Sequence, residues 1–366
     1  MSNLEEYRRS GVDYTILDRV KRAAVEWASA TSPLLERSGG KEFSGCRGTT
    51  AYVFELGSVT LAMVVEGLGT KSIIAEDYLI QSGKSRFADI AVDAVAAIVN
   101  DVISVGANPV VVTAYFATGD AAWHTDERKS LELLAGWQRA CELSGATWGG
   151  GESPALPGLV TGAGIELAGS ALAVVPADRR PVFGDDIRVG DRIVVLPSSG
   201  LHTNGASLAR RVAAGLPSGL LTPLPSGRTF GAALLDPSVL YPGFVRALLE
   251  SPVHPHFLNP ITGHGLLKIM RAPAAVRYVL DVVPEVPEVL DFLTRQTQLS
   301  AAEAYATLNM GLGYVAVVSA EDADRTVKIA EQAGYPAFVA GEVVAGERAV
   351  SVPSLGIEYR SDELIR

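Results

Sequence analysis

The stretch that most constrains this chain is RFADIAVDAVAAIVNDVISVGANPVVVTAYFAT, residues 86–118. Apolar residues recur at Val92, Val95, Ala96, Val99 and Ile103, which is helical spacing, and Gly106 and Pro109 end the pattern. Residues 110–118 then read as a buried strand. The helix nevertheless carries Asp93 and Asn100, seven residues apart and so on one face, with Asp101 about 100° round from Asn100. An unpaired buried polar group costs roughly 2–7 kcal/mol, so this polar stripe must be met by a partner.

The rest of the chain repeats the mixture of helix and strand. Helices are predicted over 16–30, 128–145, 205–214, 233–249, 286–296 and 321–334, and strands over 51–56, 59–65, 168–176, 193–196, 276–281, 313–319 and 348–352. Residues 147–158, TWGGGESPALPG, read as a glycine-rich loop. A chain of 366 residues exceeds the roughly 250–300 at which single cores stop growing. The text turns polar from Pro176 to Asp191, which places a domain boundary near 178. The expected organisation is a two-domain α/β (α+β) chain, 1–177 and 178–366.

The formal net charge of -10 argues against nucleic acid or an anionic membrane surface as partner. Cys46 and Cys141 cannot build a disulfide framework, and five scattered histidines do not suggest a tetrahedral zinc site. The charged start MSNLEEYRRSGVDY lacks the apolar stretch of a secretory signal, and no run approaches the ~20 apolar residues of a membrane span. A reduced, cytoplasmic protein is the expectation.

Several short stretches carry chemistry. In EGLGTK, Gly67 and Gly69 allow close backbone approach, Thr70 and Lys71 suit phosphate, and Glu66 can hold a metal ion; a hairpin turn with surface charges reads equally well. It is not a Walker loop. Asp93 and Asn100 suit Mg²⁺ or simple capping of backbone. In GGGES, Gly150 and Gly151 flank the single carboxylate Glu152. SSGLHTNGAS crowds Ser198, Ser199, His202, Thr203 and Asn204 between a strand and a helix, where Asn204 or Ser207 can cap the helix and His202 can donate to an oxygen. ITGHG precedes another helix, and in LNMGLGY Asn309 is placed to line a cleft. There is no G-x-S-x-G elbow and no evident triad.

Taken in order, these stretches resemble the aminoimidazole ribonucleotide synthetase (phosphoribosylformylglycinamidine cyclo-ligase) family. YRRSGVDYTILDRVK is similar to its Y-x-x-A-G-V-D-I opening, EGLGTK to D-G-V-G-T-K, and IAVDAVAAIVND to I-G-x-D-x-x-A-M-x-V-N-D. GGESPALPG is similar to G-G-E-T-A-E-M-P-G, SSGLHTNGASLAR to S-S-G-x-H-S-N-G-x-S-L-x-R, ITGHG to I-T-G-G-G, and LNMGLGY to F-N-x-G-x-G-M. The wider superfamily includes formylglycinamidine synthetase, thiamine-phosphate kinase, selenophosphate synthetase and a hydrogenase maturation factor. The resemblance implies an N-terminal domain that pairs across a homodimer into a β-barrel, with ATP and Mg²⁺ in a groove and a phosphorylated ribonucleotide as substrate. It implies Glu66, Asp93, Asn100, Asp101 and Glu152 as the metal and phosphate site. Gly67, Gly69, Thr70, Lys71, Gly150 and Gly151 would lie along the nucleotide, and His202 and Asn204, with Lys71 and Asp93, near the reacting atoms. In the family's reaction ATP phosphorylates an amide oxygen, an amine attacks that carbon, and phosphate leaves.

The chain departs from the pattern at several letters. Glu66 stands where aspartate is expected, Ala97 and Tyr314 where methionine is, Ala155 and Lys268 where acids are, and His264 where glycine is. These fall in the substrate-facing motifs, whereas N-D and H-x-N-G are kept. Three alternatives follow: a paralogue acting on a different amide, amidine or carboxylate, a small-molecule kinase, or a nucleotide-binding module without catalysis.

Overall fold

The computed structural model describes residues 14–162 and 164–363. The opening motif at 7–13 lies outside them. The chain starts with helices α1 (Tyr14–Ser29) and α2 (Ser32–Arg37), then strands β1 (Gly40–Glu42), β2 (Tyr52–Leu56) and β3 (Val59–Gly67). Helices α3 (Lys71–Ser82) and α4 (Phe87–Val102), strand β4 (Asn108–Thr118), helix α5 (Glu127–Ser144) and strands β5 (Thr147–Glu152) and β6 (Ile165–Val174) complete the first half. The sheet order is β1-β2-β3-β6-β4-β5, antiparallel except for the β4–β5 pair.

This sheet is covered on one face. Along β3, Ala62 and Val64 point into the core, while Val59, Met63 and Val65 are exposed on the other side. The alternation is that of a half-buried antiparallel strand. Helix α4 lies across β3 and β6, and α5 packs on α4. At that crossing Gly136 faces Ala88; a Cβ at 136 would come within 2.7 Å of the Ala88 Cα.

The second half carries β7 (Arg192–Pro197), α6 (Ala206–Gly215), α7 (Phe230–Leu234), α8 (Pro242–Glu250), β8 (Phe257–Pro260) and β9 (Val276–Leu280). It continues with α9 (Glu288–Thr297), α10 (Ala301–Tyr305), β10 (Leu312–Val318), α11 (Ala323–Gln332), β11 (Phe338–Ala345), β12 (Ala349–Val352) and β13 (Ile357–Arg360). The sheet order is β13-β12-β9-β11-β7-β10-β8, with β9 and β12 parallel and the other pairs antiparallel. Every residue of β10 is buried. Buried apolar residues of both halves form one continuous cluster. The expected two-domain α/β class is observed.

Two expectations need correction. Residues 147–152 are an edge strand rather than loop, because β4 offers its backbone and Gly151 lets the two chains approach. The helix expected over 233–249 is two helices, since Pro237 and Pro242 interrupt it and residues 236–241 run between them as irregular chain. Among the described residues no helix is long and apolar enough to cross a membrane.

Candidate active site

The polar stripe of α4 finds its partner in the second half. Lys71, the first residue of α3, and Asp93 are both completely buried, with Lys71 Nζ 2.6 Å from Asp93 Oδ2. The same ammonium donates to the carbonyls of His202 (2.8 Å) and Asp236 (3.3 Å). Three N–H groups thus meet three acceptors. The other Asp93 oxygen accepts from the Ser238 N–H (2.9 Å) and hydroxyl (2.5 Å). Burial pushes the Asp93 carboxyl above its ordinary range, opposed by Lys71 and Ser238. Asn100 donates to the Val239 carbonyl (2.8 Å) and accepts from the Tyr241 N–H (2.9 Å). The irregular chain at 236–241 is therefore the counterpart that the stripe required. Nothing in its own letters marked it except the two flanking prolines.

His202 sits beside this clasp with φ at +56°, the left-handed region. Its Nε2 accepts from the Ser199 N–H (3.1 Å) and the Val239 N–H (3.4 Å). Burial first, and the Lys71 charge second, push the imidazole down to about 3. The ring is neutral at physiological pH, and with Nε2 accepting, its proton resides on Nδ1. The loop that carries it is pinned by buried Asn309, whose amide donates to the carbonyls of Gly200 (2.8 Å) and Leu201 (3.2 Å) and whose oxygen accepts from Ser198 Oγ (2.8 Å) and the Gly311 N–H (2.9 Å). Asn309 is a fully used cross-link, so its role is to hold this loop.

Asn204 is half-buried and donates to Thr203 Oγ1 at 3.3 Å. Neither it nor Ser207 caps α6; Gly205 takes that position at φ +98°. Ser207 Oγ instead lies 2.9 Å from Thr70 Oγ1, a hydroxyl-to-hydroxyl contact between the halves. The glycine loop is shaped by a residue the sequence did not single out: Glu166 accepts from the Gly69 N–H at 3.2 Å, and burial raises its carboxyl. Gly69 has φ +68°.

Glu66 and Asp101 come together. Burial, then the Asp101 charge and a hydrogen bond between the two side chains, raise Glu66 to about 7, opposed by the Lys268 ammonium. Lys268, only 2% exposed, donates to Thr262 Oγ1 at 2.5 Å. Burial lowers it to about 8, with Asp101 and Glu66 acting the other way. Completely buried Tyr314 also feels the Asp101 charge, and its hydroxyl has no hydrogen-bond partner among the described residues.

The five acids and amides expected at a metal and phosphate site are thus in three places. Asp93 and Asn100 are spent on the clasp, and Glu66 and Asp101 raise each other's charge cost, with the Lys268 charge opposing. Glu152 is exposed on the β5 edge, accepting from its neighbour's N–H (3.0 Å), with exposed Gly150 and Gly151 before it. Among the described residues no group of three or more His, Cys, Asp or Glu could hold a metal ion. This arrangement does not fit a divalent ion caged by the protein.

Comparison with known proteins agrees with the architecture. The N-terminal domain profile of AIR synthase related protein matches residues 48–175, and the C-terminal domain profile matches 188–352. A phosphoribosylformylglycinamidine cyclo-ligase of Methanococcus maripaludis is 31% identical over 98% of this chain and 99% of its own length. Another, from Methanocaldococcus jannaschii, is 32% identical over 92% of each chain. Among solved structures, the hydrogenase maturation protein HypE in complex with ATP superposes with a TM-score of 0.59 at 19% identity, covering 82% of this chain and 83% of that one. AaThiL complexed with AMPPCP and TMP gives 0.57 at 17% identity, covering 86% and 90%. With both domain profiles and a near full-length likeness in hand, the chain belongs to the AIR synthase related protein family.

Proposed function

We propose that the protein is an ATP-dependent carbon–nitrogen ligase of the cyclo-ligase type, acting on a phosphorylated ribonucleotide such as formylglycinamidine ribonucleotide in purine biosynthesis. The observation that carries this reading is the near full-length likeness to the cyclo-ligases. The chemistry suits it. An amide oxygen is a poor leaving group; once phosphorylated it leaves as phosphate when the internal amine attacks the same carbon. Catalysis then consists mainly of positioning and charge neutralisation.

This chain's residues supply parts of that task. His202 is a neutral imidazole presenting Nδ1–H, so it orients or donates a hydrogen bond to an oxygen and does not serve as an imidazolium acid. Lys71 holds the His202 carbonyl and fixes the loop that carries the ring. The glycine backbone of 67–69 and the Thr70 hydroxyl lie at the junction of the two halves, where a nucleotide's phosphates would be met. Magnesium bound to those phosphates would neutralise their charge.

A homodimer belongs to this reading. The uncovered face of the first sheet exposes Val59, Met63 and Val65 on β3 and Val110 and Tyr115 on β4, an apolar face of the kind a second copy would cover. A cytoplasmic location belongs to this reading as well, since the proposed activity consumes ATP and a ribonucleotide.

The decisive experiment supplies the purified protein with Mg²⁺, ATP and formylglycinamidine ribonucleotide labelled with ¹⁸O at the amide oxygen. The expected result is ADP, the closed ring, and ¹⁸O in the released phosphate. A phosphorylated product without free phosphate would instead indicate a kinase. A second reading, a paralogue acting on another amide or amidine, is favoured by buried Lys268 and Tyr314, which stand where the family pattern has an acid and a methionine. ATP binding without turnover of this substrate, together with phosphate release on another amide or amidine, would favour it over the first.

A further inference from the structure

The glycine loop that leaves β3 is already occupied by an acid. Pairing of β3 with β6 runs to Gly67 opposite Ala168, and the Leu68 N–H extends it by donating to the Leu167 carbonyl (2.7 Å). At Gly69 the chain turns away with φ +68°, and the half-buried Glu166 side chain takes over, accepting from the Gly69 N–H at 3.2 Å. The same Glu166 Oε1 lies 3.1 Å from where a Cβ on Gly67 would be, so the missing side chain lets the carboxylate lie against both glycines. Among the described residues no other hydrogen bond and no cation holds this carboxylate. Lys71, two residues beyond Gly69, is completely buried and spent on Asp93 and two carbonyls, so it does not neutralise Glu166. Burial makes the Glu166 charge costlier, and the Gly69 N–H is what opposes this.

We propose that Glu166 is a built-in competitor for phosphate at this loop: in the nucleotide-free protein it holds the Gly69 N–H, and a nucleotide's phosphate must displace it. The inference rests on the reading of residues 67–70 as the place where a nucleotide's phosphates are met. An ionised carboxylate and a phosphate oxygen both accept hydrogen bonds, so sharing one N–H brings two negative charges together. Magnesium arriving with the phosphates reduces that repulsion but supplies no second N–H. The penalty therefore falls on ligands whose phosphates reach the loop, and not on the nucleoside part of the ligand.

The probes are AMPPCP, a non-hydrolysable ATP analogue, and adenosine, each titrated calorimetrically into the intact chain in excess Mg²⁺. Glu166→Gln keeps an acceptor of nearly the same shape and removes the charge. It is expected to bind AMPPCP about tenfold tighter than the native protein and to leave adenosine binding unchanged within about twofold. Glu166→Ala frees the Gly69 N–H outright and is expected to show the same selective gain; it is the second variant should glutamine disturb folding as judged by circular dichroism. AMPPCP binding that is unchanged or weakened in a folded variant at 166 would overturn the proposal, the weakened case showing a carboxylate that assists the phosphates. An equal gain for adenosine would overturn it too, because a loop loosened at large affects both ligands. Failure of the native protein and both variants to bind AMPPCP at all would sink the ligase reading together with this inference.

Discussion

Removing one half of the Lys71–Asp93 pair strands the other half as a buried charge. Asp93→Ala should lower the unfolding free energy by about 3–5 kcal/mol, measured by urea denaturation, whereas Lys71→Met combined with Asp93→Leu should cost well below the sum of the single changes. His202 gives a pH signature. Its folded-state value, about 3, lies below the ordinary 6.5, so its contribution to stability is complete above pH 6.5 and is lost as pH falls through 3. Between pH 6 and 4 the native protein should therefore lose stability faster than His202→Gln, by up to about 1.4 kcal/mol per pH unit. Glu66 runs the other way: raised to about 7, it stabilises fully below its ordinary 4.5, and that contribution fades as pH rises through 7. At this scale the letters were legible and their partners were not. Lys71, Asp93, Asn100 and His202 stand out in the sequence as polar residues in apolar or glycine-rich text. That Lys71 neutralises Asp93, and that its remaining donors reach the carbonyls of 202 and 236, depends on a tertiary approach and on a left-handed His202, neither of which any local pattern encodes.

At the scale of elements, the long periodic helices α4, α5 and α11 were readable because their apolar spacing persists for several turns. Strand β5 was not, because three consecutive glycines have little intrinsic strand preference; it forms because β4 supplies hydrogen bonds and Gly151 fits where a side chain would strike the Ala114 carbonyl. Strands β8, β11 and β13 escaped the sequence reading too, being short or weakly alternating and fixed by their neighbours in the sheet. Close helix packing makes its own prediction. Gly136→Leu forces a side chain into the Ala88 backbone and should destabilise by roughly 3 kcal/mol or more, seen as a lowered thermal midpoint with secondary structure retained below it.

For the whole molecule, the uncovered sheet face sets the expectation about assembly. Val65, 74% exposed at the centre of that face, is a position where one charge would disturb a self-complementary contact twice, once in each copy. Val65→Lys should halve the mass found by size-exclusion chromatography with light scattering while leaving the monomer folded; an unchanged mass would remove the face from consideration. The motifs carried the family across both halves, because glycines and polar letters in order survive at about 31% identity. The charge reversal at Lys268 was visible too, but that its ammonium is buried and donates to Thr262 was not. The clasp between the halves has one more consequence. Lys71, Asp93 and Asn100 hold carbonyls and N–H groups of residues 202, 236, 238, 239 and 241, and only Ser238 also gives a side chain. Mutational tolerance across this seam is therefore lopsided. The first half must keep three particular side chains, whereas a position such as 239 can drift in identity so long as no residue is inserted or deleted and the backbone stays in step.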